Sequence, residues 1–125
     1  KKFEAGSQNL LGLVGLVAAL KLTAELGVEN IAAELLRKRA WLVSALQAKG
    51  YTVLCAEAAP ENASGITTFF RPGCDLAGLH ENLLAANIVT SLRTDRAGQK
   101  YIRLSPHYYN TDEELRRVVE LLPTA

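Results

Sequence analysis

The sequence predicts a small α/β domain of the α+β kind, in which long N-terminal helices precede a mainly antiparallel four-stranded sheet covered by helices. Apolar residues recur at helical spacing before Gly50, and the period changes to two after it. Two further capped helical segments interrupt and follow the strands. A chain of 125 residues with 49% hydrophobic content is long enough to bury one core.

The first predicted helix covers residues 10–26, between a capping Asn9 and Gly27. Its leucines and valines surround the helix axis, and a helix that is apolar on all sides needs cover on all sides. A 125-residue domain can hardly provide that cover by itself.

The second predicted helix covers residues 29–49 and ends before Gly50. Its apolar residues fall on one stripe, as in an ordinary surface helix. We expect Arg37, Lys38 and Arg39 to lie mostly on the solvent side of this helix.

The rest of the chain alternates short strands with two capped helices. Asp75 caps a helix over residues 76–86, and a Thr111–Glu114 capping box opens one over residues 112–122. Alternating apolar residues predict the strands 51–55, 66–70, 88–93 and 101–105.

Composition argues against several classes of partner. Lys and Arg total 14 against 13 Asp and Glu, so no overall field favours nucleic acid or an anionic membrane. The apolar run of residues 10–20 is about half the length that spans a bilayer. Neither Cys55 nor Cys74 belongs to a Cys/His cluster, so we expect no metal site and a reducing, cytoplasmic setting.

Four residues are candidates for binding chemistry. Arg103 alternates with apolar neighbours on its strand, so its guanidinium is free for a carboxylate or is simply a surface arginine. Gly6 and Ser7 precede a helix, where amides and a hydroxyl receive a phosphate or merely cap the helix. His107 follows the Arg103 strand and is either a proton carrier or a loop anchor.

Motifs at both ends of the chain resemble one known family. Residues 3–9 read Phe-Glu-Ala-Gly-Ser-Gln-Asn, and residues 103–114 read Arg-Leu-Ser-Pro-His-Tyr-Tyr-Asn-Thr-Asp-Glu-Glu. Between them lie Leu-Gly-Val-Glu-Asn-Ile at 26–31 and Ser-Gly-Ile at 64–66. These stretches are similar to those of the class V aminotransferases, fold-type I enzymes that use pyridoxal 5′-phosphate (PLP).

The resemblance implies that residues 29–125 form a C-terminal small domain, and that residues 1–28 form an interdomain segment and helix that contacts the large domain and the partner subunit. It also assigns three binding residues. Gly6 and Ser7 would bind the PLP phosphate of the neighbouring subunit, and Arg103 would hold the α-carboxylate of an amino-acid substrate. Apart from the resemblance, His107 is a candidate for lining the site. The family's PLP-binding lysine and its aspartate belong to the large domain. No lysine here stands in that context, so we expect the chain alone to be inactive and assign it no catalytic residue.

The resemblance also implies a homodimer, and the absence of methionine fits a piece of a longer protein. Within the family, a cysteine or selenocysteine lyase, an epimerase and a kynureninase-like hydrolase stay open beside amino transfer. Residues 94–100 contain no cysteine where desulfurases carry their sulfur acceptor, and Lys2 stands where the family usually has arginine. From another class, a non-catalytic small α/β interaction or ligand-binding domain also fits the architecture.

Overall fold

The computed structural model describes Gly6 and residues 9–124. The helices are α1 (Leu10–Leu26), α2 (Val28–Ala48), α3 (Leu76–Ala85) and α4 (Asp112–Leu121), with a short 3₁₀ turn at Pro60–Asn62. The strands are β1 (Thr52–Val53), β2 (Thr67–Phe70), β3 (Ser91–Thr94) and β4 (Lys100–Leu104). The α/β architecture predicted from the sequence is confirmed.

The chain divides into two compact units, one up to Ile31 and one from Ala32 onward. In the first unit, the side chain of Asn9 accepts a hydrogen bond from the Gly12 amide at 2.9 Å, and Gly27 ends α1 with φ of 80°. No side chain of α1 is buried, and Leu11 is 85% exposed. Among the helices that the structure describes, none has both the length and the hydropathy of a membrane span by itself. Taken together as a bent pair, α1 and α2 do meet these two criteria of length and composition.

The second unit contains one antiparallel sheet of strand order β1-β2-β4-β3. Two predicted strands are shorter than expected by two residues or more. Ile88 donates its amide to Leu83 at 2.9 Å and so belongs to the end of α3, which delays β3 until Ser91. At the other edge, Cys55 adopts φ of 52° and turns the chain away after β1.

One face of the sheet, which we call the inner face, packs against the helices. Phe69 and Ile102 are fully buried there, and the ring of Phe69 meets that of Tyr51 edge to face, with centroids 5.1 Å apart. The helices complete the same core with leucines and two valines: Leu42, Val43 and Leu46 from α2, Leu76, Leu79 and Leu83 from α3, and Leu115 and Val118 from α4. Burial of apolar area on this face provides the main driving force for folding.

The expectation that three basic residues of α2 lie outside is right for Arg37 and wrong for the two that follow. Lys38 and Arg39 are 2% and 7% exposed. They precede the buried Leu42 and Val43 by four residues, so they share the inward stripe of the helix. Main-chain carbonyls compensate the burial of Arg39, whose guanidinium donates to Ile66 at 3.0 Å and to Cys55.

Candidate functional site

Arg103 lies on the face of the sheet opposite the core, which we call the outer face. Its neighbours along β4, Ile102 and Leu104, are buried on the inner face, and the alternation of the strand turns Arg103 the other way. In the register of the sheet, Thr68 of β2 and Ser91 of β3 flank it on either side. Arg103 is therefore held on a central strand between two short hydroxyl side chains.

The guanidinium of Arg103 lacks a protein partner in the described part of the chain. Its Nε is buried without a hydrogen bond, and no ion pair in these residues includes it. A buried donor left unsatisfied costs about 1–3 kcal/mol, more when the group is charged. An anion placed against Arg103 would remove that cost, so the site is suited to receiving a carboxylate.

The acidic residue of the adjoining hairpin already has partners. Asp95 Oδ2 accepts the Tyr101 hydroxyl at 2.9 Å, and Oδ1 accepts the amides of Ala97 and Gln99, both at 2.9 Å. The Tyr101 hydroxyl, followed by these amides, lowers the pKa of Asp95. The ring of Tyr101 also packs edge to face on that of Phe70, with centroids 5.3 Å apart. The outer face therefore carries a pair of aromatic rings beside Arg103.

His107 lies in the loop between β4 and α4, inside a cluster of three rings. Its imidazole stacks on Tyr109 with centroids 4.5 Å apart at 21°, and its centroid lies 4.4 Å from that of Tyr108. The His107 amide donates to Asn110 Oδ1 at 2.8 Å, so the backbone of the loop is fixed as well. Tyr109 is 70% exposed, which leaves the cluster open on one side.

The other candidates are placed as follows. Gly6 has φ of 143°, a conformation that L side chains rarely adopt, whereas Ser7 lies outside the described residues. Outside the four candidates, the Nδ1 atom of His80 in α3 lies 2.8 Å from Thr90 Oγ1. Among the described residues, no group of three or more His, Cys, Asp or Glu side chains is placed to bind a metal ion.

Two arrangements escaped sequence reasoning. The Arg71 guanidinium lies 4.7 Å from the centroid of the Tyr51 ring and donates to the Pro123 carbonyl at 2.9 Å, and its Nη2 is 3.9 Å from Cys74 Sγ. This cluster ties Pro123 to the core. Burial raises the pKa of Tyr51 to about 12, although the charge of the nearby Arg71 guanidinium acts to lower it. The other arrangement is the set of contacts around the buried Lys38.

A groove of about 380 Å³ opens between the end of β4 and α4. Leu104, Ser105 and Pro106 line one side of it, and neither Arg103 nor His107 contributes to its lining. The candidate site centres on Arg103 and not on this groove, because the Nε of Arg103 is a buried, unpaired donor on a central strand. Among the described residues, the Thr67 hydroxyl is also buried without a partner, but Thr67 is fully buried on the inner face of β2.

The family model described as "Aminotransferase class-V" matches residues 1–118. The chain belongs to the class V aminotransferase family. The resemblance noted in the motifs at the two ends of the chain is thereby confirmed, and the fold agrees with it.

Solved structures with the same fold include a NifS-like protein and two proteins described as cysteine desulfurases. A "NIFS-LIKE PROTEIN" is 26% identical, with a TM-score of 0.77 over 93% of this chain and 33% of that one. The apo cysteine desulfurase from Thermococcus onnurineus NA1 is 20% identical, with a TM-score of 0.84 over 95% and 32%. The cysteine desulfurase CsdA from Escherichia coli is 21% identical, with a TM-score of 0.79 over 96% and 31%. The chain thus spans about a third of the length of the structures it matches.

Proposed function

We propose that this chain supplies the small-domain part of a PLP-dependent enzyme that acts on an amino acid, and that Arg103 binds the α-carboxylate of the substrate. The unpaired guanidinium of Arg103 carries the proposal. In the described residues it has a buried Nε without a partner, whereas Arg37, Arg39 and Arg71 are all engaged with oxygen atoms of the protein.

The surroundings of Arg103 support the same role. Thr68 and Ser91 beside it carry no charge, so the guanidinium keeps its full attraction for a ligand anion. A central strand gives the planar fork little freedom, and a bidentate pair with a carboxylate then fixes the orientation of the α-carbon. His107, four residues later, would line the same end of the site with its stacked rings.

The proposal assigns the remaining site residues to the cofactor that the family uses. Under this proposal the amide of Gly6 and the hydroxyl of Ser7 bind the phosphate of PLP in the neighbouring subunit, which requires a homodimer. When bound, PLP supplies the electron sink that stabilises negative charge at the substrate α-carbon. The lysine that holds PLP would come from a large domain, so the 125-residue chain by itself would orient substrate without completing a reaction.

Amino transfer is the reaction we propose, in a cytoplasmic enzyme. Desulfuration is the second candidate, because proteins described as cysteine desulfurases share the fold. The hairpin after β3 argues against it, since Asp95 organises a compact turn there and residues 94–100 contain no thiol. Cys55 and Cys74 lie elsewhere in the chain, beyond β1 and before α3.

The test is to purify the complete polypeptide that contains this chain and to measure bound PLP by its visible absorption. Purified enzyme is then incubated with a panel of amino acids and keto acids, and both keto-acid formation and sulfide release from cysteine are followed. Bound PLP with keto-acid formation is expected. A protein without PLP would contradict the enzyme proposal, and sulfide release without amino transfer would select the second candidate.

A further inference from the structure

Lys38 of α2 carries a buried ammonium group that the proposed chemistry leaves unused. The residue is only 2% exposed, and its Nζ donates to the Tyr108 carbonyl at 2.8 Å and lies 3.0 Å from Glu34 Oε1. Removing an ammonium from water is costly unless its hydrogen bonds and charge are compensated. Both partners of Lys38 therefore have to stay in place for the residue to remain buried.

Glu34 is itself bound by Arg37, which lies three residues later on α2. Arg37 donates to both of its carboxylate oxygens at 2.8 Å and reaches Asp112, the first residue of α4, at 2.7 Å. Hydrogen bonds from Arg37 and then Lys38 lower the pKa of Glu34 to about 2, so the carboxylate is charged at neutral pH. The ammonium of Lys38 thus has a permanent counter-ion beside it.

The Tyr108 carbonyl belongs to the loop of residues 105–111 that carries His107. Two other hydrogen bonds lie within the loop, from the His107 amide to Asn110 Oδ1 and from the Asn110 amide to the His107 carbonyl at 3.1 Å. The end of the loop is joined to α4, where Glu114 Oε2 accepts from Asn110 Nδ2 at 3.1 Å and from the Thr111 amide at 2.8 Å. Lys38 supplies the hydrogen bond from α2, and it does so at Tyr108, which stands between His107 and Tyr109 in the sequence.

We propose that Lys38 is a positioning residue for the proposed site: by holding the Tyr108 carbonyl, it fixes where His107 and Tyr109 stand relative to the bound amino acid. This inference rests on the proposed function, because that function places the loop after Arg103 at the substrate. Lys38 does not touch substrate itself, and it acts through the backbone of the loop.

The experiment compares Lys38→Met with Lys49→Met in the complete enzyme. Methionine keeps most of the length of the side chain and removes the ammonium. Lys49 is the matched control, because its Nζ donates to the Leu122 carbonyl at 2.6 Å and so makes the same kind of bond elsewhere. Two readouts are followed: hydrogen–deuterium exchange of a peptide covering residues 104–111, and KM against kcat for the amino-acid substrate.

Lys38→Met should speed exchange in the loop peptide and raise KM by about tenfold or more, with a smaller effect on kcat. The reason is that His107 and Tyr109 would no longer be held in position beside the bound amino acid. Lys49→Met should leave both readouts at the wild-type level. Lys38→Arg, which keeps a cationic donor, should return both readouts towards wild type. Unchanged exchange in Lys38→Met, or faster exchange with unchanged KM, would overturn the proposal.

If Lys38→Met cannot be recovered as folded protein, Lys38→Gln takes its place with the same two readouts, and the same results support or overturn the proposal. Failure of the proposed function is visible separately. It would appear as unchanged substrate affinity in Arg103→Ala, whereas the difference in loop exchange between the two lysine variants requires no substrate at all.

Discussion

The one-sided character of the sheet leads to a sharp prediction about two adjacent phenylalanines. Phe69 is fully buried on the inner face and pairs edge to face with Tyr51, whereas Phe70 is half-buried on the outer face against Tyr101. Truncating a buried phenylalanine to alanine costs about 3–5 kcal/mol through lost transfer energy and the cavity left behind. For Phe70→Ala we expect about 1 kcal/mol, mainly the loss of an aromatic pair.

The assay is urea denaturation of the 125-residue chain, with the unfolding free energy obtained by linear extrapolation for wild type, Phe69→Ala and Phe70→Ala. If Phe69→Ala is unfolded without urea, Ile102→Val replaces it, with an expected cost of about 0.5–1.5 kcal/mol at a fully buried position. Equal losses for the two phenylalanine variants would refute the argument that only one face of this sheet is packed.

Three further predictions concern a cap, a turn and a carboxylate. Thr111→Ala removes the hydroxyl that accepts the Glu114 amide in the capping box and should cost about 0.5–2 kcal/mol in urea denaturation, with Thr111→Ser near wild type. Gly98 has φ of 83° and open space around it, so Gly98→Ala should lower the unfolding free energy by about 1 kcal/mol through backbone strain alone. Gly98→Asn should lower it by less in the same assay. The pKa of Glu34 in the fold, about 2, lies below its ordinary value of 4.5, so its stabilising effect is present above about pH 4.5 and is lost as the pH falls towards 2. Melting temperatures from pH 7 to pH 2 should therefore fall less steeply for Glu34→Gln, and parallel curves would contradict the ion pair.

Much of the fold could be predicted because its signals are local. Helix caps and the change of period after Gly50 gave the bounds of α1, α3 and α4 to within a residue or two. The start of β3 was missed because Ile88 has the composition of a strand residue but is bound into the end of α3 by a hydrogen bond. A pattern of residue types does not show when a hydrogen bond to a neighbouring element overrides the strand preference of a residue.

The position of Lys38 and Arg39 was the clearest error, and a signal for it was present. Both residues stand four positions before buried apolar residues of α2, so the periodicity alone placed them on the inward stripe. Their charge suggested solvent instead. The compensating carbonyls of Tyr108 and Ile66 are 70 and 27 residues away in sequence, which is why the pattern could not reveal them.

The role of Arg103 was predicted from a motif, and the structure adds a physical reason to test it. Alternation along β4 foretold the outward direction of the side chain. That its Nε is buried without a partner depends on what the neighbouring strands bring beside it, and Thr68 and Ser91 are 35 and 12 residues away.

Titration of amino-acid substrate into the PLP-bound complete enzyme, followed by the change in visible absorption, tests the central claim most directly. Arg103→Ala is compared with Arg93→Ala, an exposed arginine of the adjacent strand β3. Loss of a charge-assisted hydrogen bond worth about 1.5–3 kcal/mol predicts a Kd raised by about 10- to 150-fold in Arg103→Ala, with Arg93→Ala close to wild type. An unchanged Kd in Arg103→Ala, with PLP still bound, would contradict the account.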